Sequence, residues 1–155
     1  MKGIILAGGS GSRLHPLTVA VNKHLLPVGG KPMVMRCLEK LTEGGIEQIA
    51  IVTNPEYLSN FSALLKSGKD YGCDITYKVQ DEAGGIAQAL SLCENFVGDD
   101  NCTVLLGDNM FEDSIAEDIE TFEHDCKLFF KHVPDGHRYG VGKFEEGIGL
   151  YEILE

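Results

Sequence analysis

The feature that most constrains the fold of this chain is a short apolar run that passes directly into a glycine-rich loop. Residues 3–7 are apolar throughout, which is typical of a strand buried on both faces. Gly8, Gly9 and Gly11 follow, and glycine permits both a positive φ and a close approach of the backbone to a ligand. The exposed N–H groups of such a loop form a cradle for an anion. The start of the chain therefore predicts a buried strand with an anion-binding loop at its carboxyl end.

Strands and helices alternate along the chain after this loop. The predicted strands cover residues 3–7, 48–53, 74–79, 103–106 and 127–133, and helices are predicted from near residues 32, 54 and 84 and over 114–123. Asn54 is expected to cap the second helix, and Ile86 is expected on the apolar stripe of the third. Two shorter strands, at 139–144 and 150–154, are predicted as an antiparallel hairpin. The pattern predicts an α/β fold with a mostly parallel sheet, helices on both faces and a small antiparallel addition at the C-terminal end.

Length and hydropathy describe an ordinary globular chain. Its 155 residues suffice for one domain, residues 1–155. Because the last predicted strand runs into Glu155, we expect this domain to be truncated at its C-terminus. No apolar run reaches the ~18 residues of a membrane span. We therefore expect a cytoplasmic protein without a membrane partner.

The charge and the cysteine content bear on the partner of the chain and on the state of its thiols. The net charge of −11 disfavours a nucleic acid as partner. Residues 1–80 nevertheless hold nine Lys and Arg against six Asp and Glu, which places a basic excess in the half that contains the glycine loop. Five scattered cysteines without a C-x-x-C pair indicate reduced thiols. The string His124-Asp125-Cys126 is interpreted as a helix end and not as a metal site.

Polar or glycine residues follow three of the predicted parallel strands. The loop 8–13 follows the first strand, Gln80 follows the third, and Asp108 with Asn109 follows the fourth. Ligands of such a sheet bind beyond the carboxyl ends of its strands. We therefore expect these three loops to form one crevice.

The residue types in this crevice suit a phosphorylated ligand, such as a nucleoside triphosphate. Arg13 and Lys23 supply cations for the phosphates. The carboxylate of Asp108 suits Mg²⁺, which binds through one or two carboxylates plus substrate phosphates. The amide of Gln80 suits the edge of a pyrimidine. From the residues alone, a tight turn, a helix cap and a surface glutamine remain open as alternatives for the loop, Asp108 and Gln80.

The full loop motif is more specific than its glycines. The string L-A-G-G-S-G-S-R-L at residues 6–14, then P-L-T at 16–18 and K-x-L-L-P-V at 23–28, resembles the signature of the sugar-1-phosphate nucleotidyltransferases, and most closely that of the thymidylyltransferases. It is neither a P-loop nor a dinucleotide fingerprint, since Leu14 stands at the third glycine position. The chain departs from the family pattern at Ser12, His15 and Gly84, where Thr, Tyr and Asp are usual.

This resemblance implies a Rossmann-like fold, a reaction and a set of roles. dTTP would react with glucose-1-phosphate to give dTDP-glucose and pyrophosphate, with Mg²⁺ on Asp108 and with Arg13 and Lys23 as catalytic cations. The implied sugar contacts are Asn109, Gly140 and Glu155. The implied nucleotide contacts are Leu6, Ala7, Gly8, Gly9, Ser10, Gly11, Ser12, Arg13, Gln80, Gly85 and Asp108.

Three other readings remain at this point. UTP is the nearest competitor of dTTP, because both bases present the same edge to Gln80. A nucleotide-binding module without turnover is the second, and truncation of the domain would favour it. An NAD-dependent oxidoreductase is the third, against which the missing third glycine counts. For the full-length form we expect a homo-oligomer.

Overall fold

The computed structural model of the chain describes residues 1–9, 11–123, 125–136, 139–147 and 149–154. It divides into two units, the first from Met1 to Thr121 and the second from Phe122 onward. The expectation of a single domain stays a prediction. Across the described ranges, no helix combines the length and the apolar character that crossing a bilayer requires.

The helices and strands follow the alternation of the sequence. In chain order they are β1 (Lys2–Leu6), β2 (Pro27–Val28), β3 (Lys31–Pro32), α1 (Met33–Glu43), β4 (Gln48–Thr53), α2 (Leu58–Leu65), β5 (Asp74–Val79), α3 (Gly85–Ser91), α4 (Glu94–Val97), β6 (Cys102–Leu106), α5 (Ala116–Glu120), β7 (Val141–Glu145) and β8 (Gly149–Leu154). Short 3₁₀ turns cover Ser12–Leu14, Lys23–Leu25, Pro55–Tyr57 and Lys69–Tyr71.

A four-stranded parallel sheet forms the centre of the first unit. Its strands lie in the order β5-β4-β1-β6, and Ile5 of β1 is flanked by Ile51 of β4 and Leu105 of β6. Parallel strands need crossover connections. Here α1 lies in the connection from β1 to β4, and α2 lies in the connection from β4 to β5. The pair α3 and α4 connects β5 to β6. The predicted α/β class with a mostly parallel sheet is confirmed.

Alternate residues of the central strands enter two separate cores, because successive side chains of a strand point to opposite faces. On one face Ile5 and Ile51 pack with residues of α1 and α2, including the fully buried Phe61. On the other face Ile4 packs in a cluster that includes Ala89 of α3. Helices therefore cover both faces of the sheet, as predicted.

The second unit contains the antiparallel hairpin of β7 and β8, in which Val141 lies opposite Leu154. The predicted strand over residues 127–133 is wrong, since these residues have no regular secondary structure and Phe129 is 57 % exposed. Their apolar composition suits a strand. A strand also needs a partner for its backbone groups, however, and no strand within the described ranges pairs with this stretch.

Three details of the predicted helices are also wrong. The helix expected over residues 114–123 is limited to Ala116–Glu120. Ile86, in the first turn of α3, is 52 % exposed and lies outside the core, which the helix enters at Ala89. The side chain of Asn54 makes no capping hydrogen bond to the turn that follows it.

Candidate functional site

The glycine loop begins where β1 ends. Ala7 is fully buried and still donates its N–H to Val52 O at 2.7 Å, so the loop leaves from a fixed point of the sheet. Gly11 has φ of +63°, and a β-carbon there would lie 2.9 Å from Thr18 Cγ2. Thr18 Oγ1 donates to Gly11 O at 2.7 Å. The shape of the loop therefore depends on glycine at this position.

A buried polar pair ties the next segment to the end of β1. Asn22 is 2 % exposed, and its Nδ2 donates to Ala7 O at 3.1 Å. Its Oδ1 accepts from the backbone N–H of His24 at 2.9 Å and lies 2.7 Å from His24 Nδ1. Burial, together with the charge of Lys23, lowers the pKa of His24 to about 4, so the ring is neutral at pH 7. Neither residue was predicted from the sequence to lie at the site, although both are polar and flank Lys23 in the chain.

This polar pair holds Lys23 at the carboxyl end of β6. Lys23 Nζ donates to Asp108 Oδ2 at 2.5 Å, across 85 positions of the chain. Burial alone would raise the pKa of Asp108, but the hydrogen bond and charge of Lys23 outweigh it and the pKa lies below its usual value. The two side chains remain 22 % and 37 % exposed, so both are accessible to a ligand.

The turn after β6 is supported from α1. Cys37 is buried, and burial together with the charge of Asp108 raises the pKa of its thiol to about 11. The protonated thiol donates to Asn109 O at 3.4 Å and to Leu106 O at 3.5 Å. Asn109 N–H closes the turn onto Leu106 O at 2.9 Å. Cys37 thus acts as a buried donor beneath Asp108 and Asn109.

Gln80 lies at the other side of the glycine loop. It is 8 % exposed, and a β-carbon on Gly8 would overlap its Oε1. Its Nε2 donates to Gln88 Oε1 at 2.6 Å and to Gly85 O at 3.4 Å. Gly85 has φ of +86°. The end of β1, the end of β5 and the start of α3 therefore meet at one place.

Two polar atoms beside this place lack a partner among the described residues. They are Thr53 Oγ1 and Asn54 Oδ1, at the end of β4. The Asn54 oxygen lies 3.4 Å from the position of a β-carbon on Gly8. Leaving such atoms unpaired is costly, and contact with a ligand would offset that cost. The sequence indicated only a helix cap at Asn54.

The remaining predicted site residues that the structure describes make no hydrogen bond or ion pair with Lys23, Asp108 or Gln80. Ser12 and Arg13 lie on the exposed 3₁₀ turn after the loop, and Arg13 makes no hydrogen bond or ion pair with any residue that the structure describes. Gly140 belongs to the second unit, just before β7. Ser10 and Glu155 lie outside the described residues.

The metal-coordinating side chains at the carboxyl ends of β1 and β6 suit a divalent cation only if a bound ligand supplies further oxygen atoms. No group of three or more His, Cys, Asp or Glu side chains gathers within the described ranges. Asp108 supplies one carboxylate, and Mg²⁺ characteristically takes one or two carboxylates and completes its shell with water and substrate phosphates. The fit is therefore to a metal that arrives with a phosphate ligand.

The chain belongs to the nucleotidyl transferase family, whose model matches residues 2–155. It is 42 % identical to the glucose-1-phosphate thymidylyltransferase of Neisseria meningitidis, over the whole of this chain and 55 % of that protein. A Bacillus anthracis protein assigned as a glucose-1-phosphate thymidylyltransferase, solved with sucrose, superposes with a TM-score of 0.95 and 47 % identity over all of this chain and 64 % of that one. A UDP-glucose pyrophosphorylase solved with UDP-glucose is 29 % identical, with a TM-score of 0.56 over 68 % of this chain and 45 % of that one. The chain thus spans about half the length of the curated relatives it matches.

Proposed function

We propose that this chain carries the nucleotide-binding part of a Mg²⁺-dependent enzyme that transfers a nucleotidyl group from dTTP to glucose-1-phosphate. The products are dTDP-glucose and pyrophosphate. Family membership supports the reaction class, and the names of the relatives at about 40 % identity support this nucleotide and this sugar. Because those relatives extend well beyond the matched region, the activity of a whole protein is part of the proposal.

The observation that carries the proposal is the contact between Lys23 and Asp108. It brings a cation and a carboxylate together beside the glycine loop, at the carboxyl ends of β1 and β6. The loop passes close to this lysine, since a β-carbon on Gly9 would lie 3.3 Å from Lys23 Cε. The loop, the cation and the carboxylate are thus within reach of one triphosphate.

The chemistry proceeds by in-line attack. A phosphate oxygen of glucose-1-phosphate attacks the α-phosphorus, the bond from that phosphorus to the bridging oxygen breaks, and pyrophosphate leaves with the electron pair. Arg13 and Lys23 stabilise the charge that develops on the phosphate oxygens, and the backbone of the loop aligns the chain of phosphates. Asp108 would hold Mg²⁺, which neutralises triphosphate charge when it is bound. In this proposal Gln80 and Gly85 contact the base and Asn109 contacts the sugar. Gly140 and Glu155 keep the sugar-binding roles that the family resemblance implies for them.

A uridylyltransferase is the second candidate. The likeness to a UDP-glucose pyrophosphorylase at 29 % identity favours it. Gln80 offers the same hydrogen bonds to uracil as to thymine, because the two bases differ only by a methyl group. The cytoplasmic location and the homo-oligomeric state stay predictions.

Pyrophosphate release tests the proposed function. We expect release with Mg²⁺, glucose-1-phosphate and dTTP, less with UTP and least with purine nucleotides. Asp108→Asn should abolish the Mg²⁺-dependent signal. Asp100→Asn is the matched control, because Asp100 pairs with Lys2 at 3.3 Å at the opposite end of the sheet. Binding of dTTP without turnover would favour the binding module, and no binding would contradict the proposal.

A further inference from the structure

Two glutamine side chains form a half-buried pair beside the glycine loop. Gln80 Nε2 donates to Gln88 Oε1 at 2.6 Å, which is short for an N–H···O hydrogen bond. The same Nε2 also faces Gly85 O at 3.4 Å. The amide nitrogen of Gln80 is therefore engaged by two acceptors, and both belong to the start of α3.

The direction of the Gln80 amide follows from these two acceptors. Gly85 O is a backbone carbonyl and can only accept, so reversing the amide would place two oxygens against each other. Gln80 Oε1 points instead toward Gly8, where the absence of a β-carbon leaves room for it. Among the residues that the structure describes, none donates a hydrogen bond to this oxygen. This oxygen can therefore accept a hydrogen bond from a ligand.

Gln88 reaches Gln80 because the residue before α3 is glycine. A β-carbon on Gly84 would lie 2.8 Å from Gln88 Cγ and 3.0 Å from Gln88 Cβ. The side chain of Gln88 therefore lies against the Gly84 backbone, and a larger residue there would push it aside. The position of Gln80 thus depends on Gln88, and that of Gln88 depends on Gly84.

We propose that Gln88 is a positioning residue, which holds the Gln80 amide so that its carbonyl oxygen faces the nucleobase and selects thymine or uracil over cytosine. The inference rests on the proposed function. Thymine and uracil present a ring N–H that can donate to this oxygen. Cytosine presents an unprotonated ring nitrogen at the same place, and two acceptors then oppose each other. Without Gln88 only the longer contact of Nε2 with Gly85 O, at 3.4 Å, opposes reversal of the Gln80 amide, so the reversed amide, which offers its NH₂ group to cytosine, becomes accessible.

The affinities of the chain for dTTP and dCTP, measured by calorimetric titration, test this inference. Gln88→Met keeps the length of the side chain and removes its acceptor. We expect the preference for dTTP over dCTP to fall about tenfold, the size of one hydrogen bond left unmade. Gln88→Glu retains an acceptor for Gln80 Nε2 and should restore the preference. Gln88→Ala is a second variant without an acceptor and should behave as Gln88→Met does.

Gln48→Met is the matched control, since Gln48 is exposed at the amino end of β4, and it should leave the preference unchanged. The inference is overturned if Gln88→Met and Gln88→Ala bind dTTP with the original preference, or if Gln88→Glu loses the preference as Gln88→Met does. If the unsubstituted chain does not bind dTTP at all, the proposed function fails first and this inference falls with it.

Discussion

At the scale of single residues, the contact between Lys23 and Asp108 matters for electrostatics more than for stability. Both side chains are partly exposed, and ion pairs of that kind contribute only about 0–1 kcal/mol to folding. To a ligand, the pair would present a cation and a carboxylate 2.5 Å apart. A triphosphate would compete with Asp108 for the ammonium of Lys23.

Arg13 is the other cation proposed to bind the phosphates. It is exposed and has no partner within the described ranges, so its guanidinium is available to a ligand. Arg13→Ala should weaken triphosphate binding by about 1.5–3 kcal/mol, the scale of a hydrogen bond to a charged group. Calorimetric titration with dTTP measures this change. Lys66→Ala, which removes an exposed cation after α2, is the control, and an unchanged affinity in Arg13→Ala would refute the role of Arg13.

His24 predicts a pH dependence of stability. Its pKa is about 4 in the folded chain, because of burial and the nearby Lys23, against 6.5 as the reference value. Between these values the unfolded chain binds a proton that the folded chain does not. The free energy of unfolding should therefore fall as the pH is lowered through this window, by up to about 3 kcal/mol, and His24 should have no effect above it.

Chemical denaturation at about pH 7.5 and about pH 4.5 measures this effect against the background of the carboxylates. His24→Gln removes the titrating group, so the variant should lose less stability between the two pH values than the unsubstituted chain. Equal losses in the two proteins would show that His24 is not the group responsible.

At the scale of elements, the turn that leaves β6 packs tightly on the segment that carries His24. A β-carbon on Gly107 would lie 2.8 Å from His24 Cδ2 and 3.1 Å from Leu6 O, and the second contact involves backbone that cannot move aside. Gly107→Ala should lower the free energy of unfolding by about 1–3 kcal/mol, as overpacking does in other proteins.

The measurement is denaturation in urea, with Gly136→Ala as the control. A β-carbon on Gly136 would have only an ordinary contact, 3.5 Å from Val141 Cγ2. We expect Gly136→Ala to be close to neutral. A Gly107→Ala variant as stable as this control would mean that β6 and the His24 segment are not packed as described.

At the scale of the whole molecule, stability depends on the helices that cover the sheet. Phe61 of α2 is fully buried in the core on one face. Phe61→Ala should lower the free energy of unfolding by about 3–5 kcal/mol, because it removes a large apolar side chain and leaves a cavity. Phe129→Ala is the control, since Phe129 is 57 % exposed, and a similar loss in both variants would contradict the assignment of the core.

Much of the fold was predictable because its signals are local. The apolar run of β1 and the alternation of strands and helices both depend on residues close together in the chain. The candidate loops were also predictable, because each of them directly follows a strand that the local sequence indicates. Residues 127–133 show the limit, since composition indicates that a stretch can be a strand but not whether a partner strand is beside it.

By itself, the sequence determined which residues can build the proposed phosphate-binding edge, since glycine loops and lysine attract anions and aspartate can hold a cation wherever they lie. The tertiary structure alone decided which of them meet. Parallel pairing in the order β5-β4-β1-β6 brings Lys23 to Asp108 and Gly8 to Gln80, and it buries Asn22 beneath the loop. These contacts span tens of residues, and their geometry follows from strand order and register, which no short stretch of chain encodes.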